Sequence, residues 1–289
     1  MQLKTQVSGV KIGTDINNIK VPAKLRLRQN LGIDWVNEAL GGGGMTPSTV
    51  GMVTGSPGSG KSTLIRQLAD SITEQGHLAI YNTGEESIYQ VKMRCEDMGL
   101  KHGFKVGQET FVGNVLAYAR ELQSANPGKQ VFILQDSLQT LDDGHYKNGT
   151  TSMTPVRCAA ELTDWAKETY GIVLFIGQVT KSGLFAGKNT IRHMVDVHCE
   201  ILKDADPKSP NVGKLIFSVS KNRFGFVGKS YLVELGQTGM SILGDDVTDA
   251  AEDLEEEEDT PRAAPVRKQS GFVPKVVRSD HVSNGTTND

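Results

Sequence analysis

An α/β fold with a mostly parallel central sheet is what the 289-residue sequence predicts, on three observations. Short apolar runs bounded by turn residues alternate with helical patterns along the body of the chain. The runs VFILQ and IVLFIG are apolar on both faces, as strands covered by helices on either side must be. Between the runs TVGMVT and HLAIYNT, Leu64, Ile65, Leu68 and Ile72 fall on one helical stripe, with Arg66, Gln67, Asp70 and Glu74 turned away from it.

Taken in order, residues 1–28 read as an N-terminal arm containing VPAKLRLR, which either packs on a neighbouring subunit or frays. Residues 29–244 form the body, with strands expected at TVGMVT, at the run from His77, and at QVFILQDS, GIVLFIGQV and KLIFSVS. Residues 245–289 open with the acidic block DDVTDAAEDLEEEED and have few large apolar side chains, so a disordered acidic tail is expected there. Such a tail serves solubility, competes with a polyanion for basic loops, or docks on a basic partner.

Composition narrows the function classes. With 37% hydrophobic and 22% charged residues the chain can bury one good-sized core. No run approaches the roughly 18 apolar residues of a membrane span, and the N-terminus lacks a signal-peptide core, so a cytoplasmic address without membrane partners is expected. Cys95, Cys158 and Cys199 lie far apart and form no CxxC pair, which disfavours a zinc site or a disulfide framework and reads as three buried small hydrophobes. The net charge of -3 is dominated by the acidic tail and leaves the body mildly basic, which permits a polyanionic partner.

The most specific signal is GSPGSGKST, which fits GxxxxGK[ST] completely. Gly55, Ser56, Pro57, Gly58, Ser59 and Gly60 form a loop whose backbone N–H groups can turn inward around phosphates, and the helix beginning near Lys61 adds its positive end. Lys61 is placed to reach the β- and γ-phosphates of ATP, Ser62 to ligate Mg²⁺, and Thr63 completes the motif. An apolar strand before the loop and an amphipathic helix after it supply the context that the pattern alone lacks.

Three further strand ends carry polar groups. Asp136 closes VFILQD and is a candidate for the metal shell, the alternative being a turn cap. Glu85, in NTGEES, is a candidate base for the attacking water, the alternative being a capping box. Gln178, two residues past Ile176, can hydrogen-bond a γ-phosphate or serve structure alone.

These motifs, together with LGIDWVNEALGGGG, QDSLQTL, GQVTKSGLFAGKNTIRHMVD and KNRFG, resemble in order and spacing the RadA/Sms family of RecA-like ATPases over about residues 28–244. KNRFG is the part that sets this family apart from other RecA-like ATPases such as the KaiC group. The resemblance implies a RecA-like P-loop fold, a homo-oligomeric ring, hexameric in the family, and ATP hydrolysis at subunit interfaces. Lys221 and Arg223 would act in trans on a neighbour's γ-phosphate. The chain has neither the four-cysteine finger nor the Lon-like domain usual in the family, and Gln178 stands where the family usually has His.

By the same resemblance two loops line a channel for single-stranded or branched DNA. One, residues 142–155, offers Lys147. The other, residues 180–193, offers Lys181, Phe185, Lys188 and Arg192, a set of cations around a stacking ring. Recombinase or replication proteins are further expected partners. His193 and His198 are five apart and share no helix face, so no metal site is read there. Two rivals are kept: a KaiC-like or helicase-loading switch that binds proteins instead of DNA, and a small-molecule kinase, for which no Arg-rich lid is visible.

Overall fold

The computed structural model describes residues 10–146, 149–178 and 190–244. Ahead of the body, residues 10–28 contain two short 3-10 turns, Ile16–Asn18 and Ala23–Arg26, that bury none of their own residues. The body then runs α1 (Asp34–Ala39), β1 (Val50–Gly55), α2 (Lys61–Glu74), β2 (Leu78–Thr83), α3 (Ile88–Asp97), β3 (Lys105–Gly107), α4 (Val112–Ala125) and β4 (Val131–Asp136). It continues with α5 (Thr154–Thr169), β5 (Ile172–Ile176), α6 (Thr190–Met194), β6 (Val197–Lys203), β7 (Leu215–Asn222), β8 (Tyr231–Gly236) and β9 (Gly239–Gly244). The acidic tail expected after residue 244 lies outside the described residues.

One nine-stranded sheet has the order β3-β2-β4-β5-β1-β6-β7-β8-β9. The six strands from β3 to β6 are parallel, and β7, β8 and β9 extend the sheet antiparallel. The alternation of side chains along each strand divides the core into two layers. Val53, Tyr81, Leu134 and Leu174 pack with Leu64, Ile65, Leu68 and Ile72 of α2 on one face. Met52, Ile80, Ile133, Val173 and Phe175 pack with Val115 of α4 and Leu162 and Trp165 of α5 on the other. Helices on both faces account for the doubly apolar runs at β4 and β5, whose residues are all buried.

Three expectations need correction. Arg66 and Asp70, expected to face away from the core, are 4% and 6% exposed. Asp70 accepts the backbone N–H groups of His102 and Gly103 at 2.8 and 3.1 Å, so the chain after α3 folds over that flank of α2 and supplies the partners that make burial of a carboxylate tolerable. Cys95 is only half-buried, whereas Cys158 and Cys199 are buried. The second strand begins at Leu78, one residue after His77. Among the described residues no helix is long and apolar enough to cross a membrane.

Candidate functional site

β1, the middle strand of the nine and flanked by the parallel strands β5 and β6, delivers the glycine-rich loop to the carboxyl edge of the sheet, where ligands of open α/β sheets gather. The loop closes onto α2 through Gly60 at φ 87°, and a Cβ there would lie 2.4 Å from Leu235 Cδ2 and 2.9 Å from Met240 Cε. Only glycine satisfies both the left-handed backbone and the close approach to β8 and β9. Lys61 Nζ spans the loop and donates to the carbonyls of Gly55 and Ser56, each at 2.8 Å. Burial lowers the pKa of this ammonium, with Asp136 and Glu85 opposing that shift. The Ser59 hydroxyl is buried and has no hydrogen-bond partner among the described residues, a polar atom suited to a phosphate oxygen.

Asp136, the last residue of β4, is buried beside this loop. Its Oδ2 accepts from the Tyr81 hydroxyl at 2.9 Å, and the Ser62 side chain also hydrogen-bonds it. Burial raises the Asp136 pKa, and the bonds from Ser62 and Tyr81 oppose the rise. Burial also raises the Tyr81 phenol above its ordinary range, so Tyr81 stays a donor. Behind it, Arg66 Nη1 donates to Glu86 Oε2 at 2.5 Å and lies 3.4 Å from the Tyr81 hydroxyl. The polar side of α2 is thus wired to the metal-candidate carboxylate. The adjoining peptide bond, Asp136–Ser137, is cis.

Three adjacent strand ends, those of β2, β4 and β5, meet next to Asp136. Glu85 Oε1 accepts from the Ser137 hydroxyl and from Gln178 Nε2, both at 2.7 Å. The capping box of α3 is made by Ser87 and Gln90, so neither Glu85 nor Glu86 takes that role. Lys61, Ser62, Asp136, Glu85 and Gln178 therefore share one edge of the sheet, as their motifs predict.

Lys221 and Arg223 are not brought to that edge. In the sheet register Asn222 is opposite Val197 and Val197 opposite Gly51, whereas Gly55 is opposite Ile201. The two cations sit at the amino end of β1, on the order of 13 Å along the strand from the root of the phosphate loop. Lys221 Nζ donates to the carbonyls of Arg192 and His193 at 2.9 and 3.2 Å. Arg223 Nη2 donates to the His193 carbonyl at 2.8 Å, and its Nη1 lies 3.4 Å from Asp196 Oδ1. Asn222 Nδ2, between them, donates to the carbonyls of Leu40 and Phe226, each at 3.0 Å. Arg28, where the arm meets the body, donates to the Phe224 carbonyl at 2.7 Å and to that of Gly42 at 2.8 Å. The KNRFG turn is thereby docked on the glycine run that follows α1.

Arg192 is exposed on α6 beside these cations. The other candidate nucleic-acid contacts, Lys147, Lys181, Phe185 and Lys188, lie outside the described residues. His198 is buried in β6 and bridges strands, with Thr54 Oγ1 and Ser220 Oγ each 2.8 Å from a ring nitrogen. Among the described residues no group of three or more His, Cys, Asp or Glu gathers as a metal cage. Tyr81, Ser137, Asp196 and Arg28 are site-supporting residues that motif reading passes over, because each acts through a partner distant in sequence.

Comparison with known proteins yields a consistent set. The viral superfamily 1 RNA helicase core domain matches residues 51–160, a span that holds the phosphate loop, Glu85 and Asp136. The DNA repair protein RadA of Bacillus subtilis is 32% identical over 238 residues, 81% of this chain and 49% of that protein. That of Haemophilus influenzae is 34% identical over 205 residues, 70% of this chain and 41% of that protein. The chain thus spans about half the length of the curated relatives it matches, or less. Among solved structures, one ATPase domain superposes with a TM-score of 0.64 at 14% identity, covering 75% of this chain and 91% of that one. A DnaB-like replicative helicase superposes with a TM-score of 0.65 at 14% identity, covering 75% and 63%. At that identity the structural likeness speaks for the fold alone.

Proposed function

We propose, from the premise that this chain carries a RadA-like ATPase core, that it hydrolyses ATP at the interfaces of a homo-oligomeric ring and works on single-stranded or branched DNA. One observation carries the reading: the groups for phosphate, metal and water share one edge of the sheet, while Lys221 and Arg223 lie at the other and are out of reach of the same subunit's loop. A second copy, presenting its KNRFG turn, would complete each site.

The residues present fit ATP and Mg²⁺. Ser59 Oγ and the N–H groups of the loop would take phosphate oxygens, and Ser62 and Asp136 would hold the metal, which when bound neutralises phosphate charge. Lys61 would exchange its two carbonyl partners for phosphate oxygens. Glu85 would take the proton of the attacking water. Both of its hydrogen bonds fall on Oε1, which leaves Oε2 for that water among the described residues. Gln178 would read the γ-phosphate by transferring its amide from Glu85 to that phosphate, so that the base is released only when the substrate is in place. Arg223 and Lys221 of the neighbour would stabilise charge that develops on the transferring group. Arg192, with the loop residues named above, would meet nucleic-acid phosphates.

The test is ATP turnover with and without single-stranded DNA at two salt concentrations, together with the mass by light scattering. The reading expects a ring-sized mass and a stimulation that weakens with salt. Turnover indifferent to DNA in a ring-sized particle would instead favour a switch that awaits a protein partner.

A further inference from the structure

Arg223 is half-exposed on a long, flexible stem, and a guanidinium in that state loses rotamer freedom when it is held in one position. A trans-acting cation therefore needs something that sets its direction before the neighbour arrives. Its surroundings supply a fixed carboxylate. Asp196 is 3% exposed and stands between α6 and β6. Its N–H donates to the Val50 carbonyl at 2.7 Å, and its Oδ2 accepts the Val50 N–H at 3.0 Å, a reciprocal pair that fastens it to the root of β1. Lys167 Nζ of α5 also reaches Oδ2, at 2.7 Å, and lies 5.2 Å from the centre of the Phe224 ring. Oδ1 is the oxygen turned to Arg223, and the Arg223 N–H donates to the Asp196 carbonyl at 2.9 Å. The two oxygens divide the work: Oδ2 serves the scaffold, and Oδ1 serves the guanidinium.

We propose that Asp196 is the positioning residue of the trans-acting arginine: it anchors Arg223 to the strand that carries the phosphate loop, so that each subunit presents its cation from a fixed point. This rests on the trans-finger reading above. Loss of the carboxylate would leave Arg223 present but misdirected, with the nucleotide pocket of the same subunit intact.

The experiment uses the full chain carrying Asp196→Asn, which keeps an oxygen for the Val50 N–H and Lys167 but offers Arg223 an amide N–H₂ in place of Oδ1. Turnover should fall on the order of 10-fold to 100-fold, as a misplacement near 1 Å does, with affinity for a non-hydrolysable ATP analogue changed less than about 2-fold. In an Arg223→Ala background the substitution should add no further loss, since it acts through that side chain. In rings mixed with Lys61→Ala subunits, whose fingers are intact, Asp196→Asn subunits should regain turnover. Arg223→Ala mixed with Lys61→Ala is the control for the underlying reading. If that control regains nothing, the trans-finger reading falls and the proposal with it. If the control regains turnover and the Asp196→Asn mixture does not, the proposal alone falls, as it does if Asp196→Asn alone turns over ATP like the wild type. Should Asp196→Asn not fold, Asp196→Glu, which keeps the charge and moves it by one methylene, carries the same expectations.

Discussion

The two edges of the sheet hold their cations in similar ways and to different ends. At the carboxyl edge Lys61 rests on two carbonyls beside the carboxylates of Asp136 and Glu85, and the groups that gather there come from one chain. At the amino edge Lys221 and Arg223 also rest on carbonyls, with the buried Asp196 behind them, but no phosphate loop lies near. The difference teaches that local completeness and functional completeness are separate properties. On the proposed reading, the first edge is a pocket that lacks two cations, and the second is those cations without a pocket.

The largest test of this contrast compares one substitution from each edge. Arg223→Ala should lower turnover about 10³-fold, as loss of an arginine finger does, and leave nucleotide affinity within a few-fold. Glu85→Gln should cost about 10³-fold as a lost general base. Mixing with Lys61→Ala subunits should separate the two, restoring turnover to Arg223→Ala and none to Glu85→Gln, because the second defect lies in the chain that binds the nucleotide. Restoration of both, or of neither, breaks the comparison.

A smaller effect probes the link between the edges. His198 joins Thr54, next to the phosphate loop, to Ser220, next to Lys221, and burial lowers its pKa to about 4. The unfolded chain takes up this proton below about 6.5 and the folded chain only near 4. Stability is therefore full above the unfolded value and is lost as pH falls between them, by up to about 3 kcal/mol. His198→Gln, which keeps hydrogen-bonding capacity and removes the titration, should flatten thermal denaturation between pH 6.5 and 4. An unchanged slope would show that the acid sensitivity arises elsewhere.

The smallest effect sharpens the picture of the carboxyl edge. Tyr81→Phe removes the donor to Asp136 Oδ2 and should cost about 1 kcal/mol of stability, read by chemical denaturation. Turnover should change only severalfold, because Ser62 still hydrogen-bonds the carboxylate. A loss as large as that of Glu85→Gln would move Tyr81 from support into the chemistry.

These contrasts also show what could be read from the chain alone. The phosphate loop, Asp136, Glu85 and Gln178 were legible because each is fixed by neighbours in sequence: a glycine pattern, or a polar residue closing an apolar run. β7 was legible as KLIFSVS, whereas β3, β6, β8 and β9 were not singled out: β3 is three residues long and largely exposed at its edge of the sheet, and the strands toward the antiparallel side are only partly covered, with short apolar runs. The burial of Arg66 and Asp70 was illegible for another reason. Helical periodicity reports one stripe, and the flank of α2 is covered by segments that arrive from Glu86 and from residues 101–103. Asp196 is the same case at the other edge. Its importance depends on Val50, Lys167 and Arg223 meeting at one carboxylate, and no spacing in the sequence announces that meeting.

β1 itself has a last implication. From Val50, where Asp196 is fastened, to Gly55, where the phosphate loop begins, the strand measures about 16 Å. If each subunit receives phosphate at one end of this strand and serves its neighbour from the other, that length becomes a gauge common to the whole assembly. A one-residue change in that gauge would already disturb the pairing of β1 with β5 and β6, and it would also set the cation out of step with the neighbour's pocket, so the length of this strand would answer to the assembly as well as to the core of each chain.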